Sequence, residues 1–116
     1  MTATYEDANL IVHIVQWGAE IGLDNALVKL HDKSFDPEKA TLDDEHVRKV
    51  LNFGELVGTF VKQNVLDRGL VTDLWAMEGT WRKVAAAAKR ARDEHGEPRL
   101  YENFEALARG VPAGAR

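Results

Sequence analysis

The segment from Thr41 to Val65 constrains the fold more than any other part of the chain, because its polar side chains form one narrow stripe at helical spacing. The members of that stripe are Arg48, Asn52, Glu55, Thr59 and Lys62. Nearly all other residues of the segment are apolar, which is typical of a central helix that packs against neighbours on several sides. No segment alternates apolar and polar residues for long enough to indicate a strand. The sequence therefore predicts an all-α fold.

Capping residues and glycines divide the chain into five or six helices of a single compact bundle. Besides the central helix, the predicted helices cover about residues 4–20, 24–31, 67–77, 81–94 and 100–109. Thr41-Leu-Asp-Asp44 predicts the start of the central helix, and Asp24 and Asp67 are predicted N-caps. Gly79-Thr80 is interpreted as a break or bend, and Gly96 as a helix end. We assign residues 1–110 to one helical domain and residues 111–116 to a flexible C-terminal tail.

The first predicted helix carries more apolar surface than one side of a bundle needs. Its core-facing stripe is predicted to include Ala8, Ile11 and Val15. Three further apolar residues flank that stripe and are the candidates for an interface between subunits: Leu10, Ile14 and Trp17. Because two-fold dimers are the commonest soluble homo-oligomers, we expect a homodimer or another protein partner on this surface. The alternative interpretation of Trp17 is a residue at the edge of the core.

Two glycines stand four residues apart within the central helix. Gly54 and Gly58 share its apolar face, and each costs about 1 kcal/mol relative to alanine in a helix interior. Their position predicts that a neighbouring backbone approaches closely there, so that burial of the surrounding aliphatic residues offsets the cost. Glu55 lies between them on the polar stripe, where a solvated or salt-bridged role is expected.

Four pieces of the sequence, in their order along the chain, resemble a bacterial family of unknown function. They are Leu51-Asn-Phe-Gly-Glu-Leu-Val-Gly58, Asn64-Val-Leu-Asp-Arg-Gly-Leu-Val-Thr-Asp-Leu-Trp75, Trp81 and Arg99-Leu-Tyr-Glu-Asn-Phe104. The resemblance covers about residues 42–108. It implies an all-helical domain with an Asn-Phe-x-Glu central helix and a C-terminal Tyr-Glu-Asn-Phe element, and it brings no activity and no catalytic residues. Some members carry a membrane helix near the N terminus. In this sequence the apolar run from Leu10 to Ile21 is too short and too polar to span a bilayer, so no membrane partner is expected.

The sequence lacks the usual signatures of catalysis. There is no cysteine and there is one serine, Ser34, outside any Gly-x-Ser-x-Gly context. Neither a phosphate-binding loop nor a dinucleotide-binding glycine motif occurs. The four histidines lie on separate segments without a paired metal-ligand spacing. We therefore expect no catalytic residue, no metal and no cofactor, although the absence of motifs leaves enzymatic activity open.

Charge and composition favour an interaction protein, and the acidic start of the sequence, which is unlike the basic start of a signal peptide, makes a cytoplasmic location the expectation. The 116 residues carry a net charge of −4, so a nucleic-acid partner is not expected, and the basic residues of 82–92 are interpreted as a solvated helix face. A non-catalytic interaction or homo-oligomeric module is the first hypothesis. The alternative is a binding protein or an enzyme that takes a small molecule or a metal. It requires the fold to gather His13, Asn52, Glu55 and Tyr101 in one pocket.

Overall fold

The computed structural model describes residues 2–111, and that part of the chain contains six helices and no strand. The helices are α1 (Tyr5–Ile21), α2 (Leu23–Leu30), α3 (Glu45–Lys62), α4 (Arg68–Leu74), α5 (Met77–His95) and α6 (Glu102–Arg109). The all-α prediction is confirmed. Residues 112–116 of the predicted tail lie outside the described residues.

The helix α3 occupies the centre of the bundle and contacts α2, α5 and α6. Its side chains fill the middle of the core, where Val47, Leu51 and Val57 are fully buried. The radius of gyration is 13.9 Å, close to the value of about 13 Å expected for a compact domain of this size. The predicted central helix is therefore confirmed as the element against which three other helices pack.

Both ends of α3 differ from the prediction. The helix begins at Glu45, because Asp44 is the residue whose side chain accepts from the backbone of His46. The Thr41 side chain accepts from the Asp43 N–H instead and closes only a turn. At the other end, Asn64 adopts a left-handed conformation with φ 61°. The N–H of Val65 then donates to the carbonyl of Phe60, a pattern that terminates helices.

The junction between α4 and α5 lies earlier than predicted. Trp75 is extended, with φ −130° and ψ 142°, so the chain leaves α4 there. The predicted break at Gly79-Thr80 is wrong, since both residues lie inside the continuous helix α5. The predicted cap Asp67 is confirmed and accepts from the N–H of Leu70 at 3.0 Å. The predicted helix end at Gly96 is also confirmed.

A single glycine joins α1 to α2. Gly22 has φ 76° and ends α1 in the left-handed conformation, so α2 starts at the next residue and Asp24 makes no capping bond. The buried residues of α1 are Asp7, Ile11, Ile14 and Gly18. Ala8 and Val15 are exposed, which corrects the predicted core stripe. Apolar residues lie on most sides of α1, and periodicity alone therefore did not identify the side that packs.

Candidate functional site

The glycine face of α3 is the docking surface of α6. A Cβ atom at position 54 would overlap the ring of Phe104, and one at position 58 would overlap the backbone of Asn103. The predicted close approach is confirmed, and the partner is the C-terminal helix. Phe104 is 1% exposed and makes an edge-to-face contact with Trp81 of α5 at 5.1 Å between ring centroids. The absent side chains thus let α6 pack directly against the centre of the fold.

Glu55 caps the first turn of α6 from the neighbouring helix. Its Oε1 accepts from the backbone N–H groups of Asn103 and Phe104, both at 3.0 Å. Its Oε2 accepts from Nδ2 of Asn103 at 2.7 Å. The residue at the N-cap position is Tyr101, whose side chain makes no capping bond. The predicted solvated or salt-bridged role of Glu55 is therefore wrong, because its carboxylate satisfies N–H groups that α6 leaves without an acceptor.

Tyr101 lies close enough to Glu55 for the two groups to interact electrostatically. Burial raises the pKa of the Tyr101 hydroxyl, the Glu55 carboxylate raises it further, and the positive charge of Arg48 partly opposes them. The backbone of Tyr101 is left-handed, with φ 61°, a conformation that bulky side chains seldom adopt.

The four residues of the small-molecule hypothesis do not form one enclosed pocket. Glu55 and Tyr101 are brought together at the start of α6, but Asn52 is exposed on α3 and His13 is exposed on α1. Across residues 2–111 there is no cluster of three or more His, Cys, Asp or Glu side chains arranged to hold a metal ion. Within the same range, no helix combines the length and the apolar character needed to cross a membrane.

The interface candidates on α1 have different environments. Ile14 is 3% exposed and belongs to the core of its own chain, so its assignment to an interface is wrong. Leu10 and Trp17 are partly buried against the core, and the Trp17 ring stacks on Phe53 at 6.1 Å between centroids. Little of Ile14 is therefore left to contact a second molecule, while Leu10 and Trp17 keep part of their surface accessible.

One flank of α1 presents a second apolar stripe, of which the sequence analysis named only Ala8 and Val15, and those as core residues. Its members recur at alternating steps of three and four residues, and all are exposed: Tyr5, Ala8, Val12, Val15 and Ala19. The exposed fractions of Tyr5, Val12 and Val15 are 90%, 54% and 53%. We name these five residues the α1 stripe. The alternating steps of three and four residues could have indicated this stripe from the sequence, because paired helices contact each other through residues at that repeat.

A cleft lies between the end of α3, the connection to α4, and α6. Its volume is about 600 Å³. The lining includes the basic side chains of Lys62 and Arg68, the amide of Asn103, and an apolar wall. The sequence offered no motif for this cleft, because its walls come from segments about forty residues apart that meet only when α6 docks.

The family comparison covers almost the whole described structure. A family model described as domain of unknown function (DUF4760) matches residues 5–111. The chain belongs to the DUF4760 family. All six helices fall within the match, which confirms the resemblance to an uncharacterised helical family. Comparison with curated proteins and with solved structures gave no match.

Proposed function

We propose that this DUF4760 domain is a non-catalytic helical module that pairs with a second copy of itself through the α1 stripe. The observation that carries the proposal is the row of exposed apolar side chains on one flank of α1, beside the face that already packs against the core. Exposed apolar residues scattered singly are ordinary, whereas a contiguous row at helix-pairing spacing indicates an interaction surface.

The order of residue sizes along the α1 stripe suits an antiparallel copy of the same helix. With a two-fold axis between Val12 and Val15, each of these residues lies opposite the other in the second copy. The next pair is then Ala8 with Ala19, and the last pair places the large Tyr5 side chain opposite Gly22. In an isologous contact, a residue i of one copy that meets residue j of the other implies that residue j of the first copy also meets residue i of the second. The three pairs along the stripe satisfy this condition.

Charge does not oppose this pairing at the contact itself. The exposed residues beside the stripe, Asn9 and Gln16, are uncharged. Glu6 and Glu20 lie further around the helix. Each copy contributes one helix of 17 residues, so we expect an interface near the lower size limit of about 1,000 Å² in total for specific association. We therefore expect dissociation constants in the micromolar range.

The test uses charge at the two-fold axis. The double variant Val12→Glu/Val15→Glu places four carboxylates together in the dimer and is expected to be monomeric by sedimentation equilibrium. Helicity should be retained, because both side chains are about half exposed. The matching variant Val12→Lys/Val15→Lys should also be monomeric alone. Mixing the two variants should restore a one-to-one heterodimer.

Val28→Glu is the control, since Val28 is 67% exposed on α2 and lies outside the stripe. It should leave association unchanged. A wild-type protein that stays monomeric at high micromolar concentration would contradict the proposal. So would a dimer that persists unchanged in the Val12→Glu/Val15→Glu variant, because its contact would then lie elsewhere.

A further inference from the structure

We propose that the cavity between α2 and the junction of α4 with α5 binds a small, uncharged aromatic molecule. The cavity has a volume of about 220 Å³, whereas an apolar cavity of about 150 Å³ is large enough to hold a benzene ring. Its lining comes from α2, α3, α5 and α6 and from the residues that join α4 to α5. No residue of the α1 stripe lines it, so the proposal is independent of self-association.

The cavity has an apolar floor and a mouth that is open to solvent. Phe53 and Met77 form the floor, and each keeps 5% of its surface exposed. Leu27 and Trp75 belong to the walls and are partly exposed, while Leu74 at the mouth is 51% exposed. A ligand can therefore enter from solvent and contact accessible apolar surface on several sides.

The chemistry of the lining excludes a charged ligand. Among the described residues that line the cavity, none is an Asp, Glu, Lys or Arg, and the polar side chains are His31 and Thr80. His31 directs Nδ1 to the carbonyl of Leu27 at 2.9 Å. An ion in the cavity would lose its water of hydration without gaining a partner of opposite charge, which costs free energy. We therefore expect the ligand to be uncharged.

The aromatic side chains of the lining favour an aromatic ligand over a saturated one. Phe53 and Trp75 meet edge to face, with 5.3 Å between the ring centroids. Trp17 stacks on the same Phe53 ring at 6.1 Å, which helps to hold it in position. A ligand ring beside this pair gains edge-to-face or offset contacts in addition to the burial of its apolar area. The thioether of Met77 also makes favourable contacts with aromatic rings.

A hydrogen-bonded turn shapes one wall of the cavity. Trp75 is extended, and Ala76 has φ −82° and ψ 70°. The N–H of Met77 donates to the carbonyl of Trp75 at 3.0 Å, so residues 75–77 form an inverse γ-turn. The Trp75 wall therefore belongs to a defined connection between two helices.

Isothermal titration calorimetry with three ring compounds of similar size tests the proposal. Phenol is aromatic and uncharged at neutral pH, cyclohexanol replaces its ring by a saturated one, and benzoate carries a negative charge. We expect saturable one-to-one binding of phenol with a dissociation constant of about 1 mM or lower. Cyclohexanol should bind about threefold more weakly or worse, because it lacks the ring–ring contacts. Benzoate should bind about tenfold more weakly or worse, because its carboxylate must be desolvated.

A substitution and a magnetic resonance measurement locate the binding. Thr80→Leu should weaken phenol binding by about tenfold or more, because the larger side chain occupies part of the cavity. Thr72→Leu is the matched control, since Thr72 is exposed on α4 and lies outside the lining. Circular dichroism checks that both variants fold. In the wild type, nuclear Overhauser effects between phenol and the Met77 methyl group locate the ligand without any substitution.

Four results would each overturn the proposal. The first is the absence of saturable phenol binding, and the second is binding of benzoate or cyclohexanol as tight as that of phenol. The third is a folded Thr80→Leu variant that binds phenol as the wild type does. The fourth is saturable phenol binding without a nuclear Overhauser effect to the methyl group of Met77, because the ligand would then lie elsewhere.

Discussion

At the scale of single residues, the absent side chain of Gly58 lets the backbone of α6 reach α3. The obstacle that a larger residue would meet is the Asn103 backbone, which belongs to a capped helix and cannot move aside as a flexible side chain would. At Gly54 the obstacle is the ring of Phe104. A glycine cost of about 1 kcal/mol per position in the helix interior is therefore offset by burial of the α6 contact.

Gly58→Ala should lower the free energy of unfolding by about 1–3 kcal/mol, because the new methyl group overlaps backbone atoms. Gly58→Leu should lower it further. Gly79→Ala is the matched control, since position 79 lies in α5 and the nearest side-chain atom to the added carbon is Nη2 of Arg82 at 3.9 Å. That control should be neutral or stabilising by up to about 1 kcal/mol. Urea denaturation measures both, and equal stability of Gly58→Ala and the wild type would show that α6 is not held this closely.

At the scale of one element, α6 depends on a residue of another helix for its N-terminal hydrogen bonds. Glu55 bonds two backbone N–H groups of the first turn and places a negative charge at the positive end of the helix dipole. The salt bridge between Arg92 and Glu105, at 2.9 Å, ties the same helix to α5. A helix of eight residues is too short to be stable alone in water, so these contacts and Phe104 hold it.

Glu55→Gln should destabilise the domain by about 1–2 kcal/mol, because one amide oxygen replaces two carboxylate oxygens and the charge at the helix terminus is lost. Glu97→Gln, in the exposed connection before α6, is the control and should be nearly neutral. Thermal unfolding followed by circular dichroism measures the difference. If both variants unfold alike, the carboxylate does not cap α6.

Glu55→Gln should also lower the pKa of Tyr101, because the Glu55 carboxylate is one of the two factors that raise this pKa. Tyrosinate absorbance measures this, with the 90% exposed Tyr5 as internal reference. The sign for stability follows from linkage. With a raised pKa the folded state keeps its proton when the unfolded chain has lost it, so stability falls as pH rises above the ordinary tyrosine pKa. That fall should be smaller in Glu55→Gln and absent for Tyr101→Phe.

At the scale of the whole molecule, the helices form one core around α3, and Phe104 joins three of them. Its ring covers Gly54 of α3, meets Trp81 of α5 and anchors α6. α1 packs chiefly on α2 at the edge of the bundle. This peripheral position leaves the α1 stripe available for association without disturbing the centre.

Phe104→Ala should cost about 3–5 kcal/mol, the usual range for removing a buried aromatic ring. The variant should still unfold in one transition, because the ring belongs to a core that all the major helices share. Coincident curves from tryptophan fluorescence and from circular dichroism would agree with this. Val65→Ala, at a residue that is 52% exposed, is the control and should change stability by less than about 0.5 kcal/mol. An early, separate transition for α6 would contradict a single cooperative core.

Local patterns in the sequence determined the helical class, the central position of α3, the cap Asp67, the helix end at Gly96 and the close approach at Gly54 and Gly58. These features depend on periodicity and capping chemistry within a few neighbouring residues. Only the tertiary structure decided which side of α1 is buried, which N–H groups Glu55 accepts from, and that a cleft opens beside Arg68. Glu55 and Asn103 are separated by 48 positions in the chain. No local pattern specifies such a pairing, because it arises when two helices pack and an unsatisfied helix terminus meets the nearest acceptor.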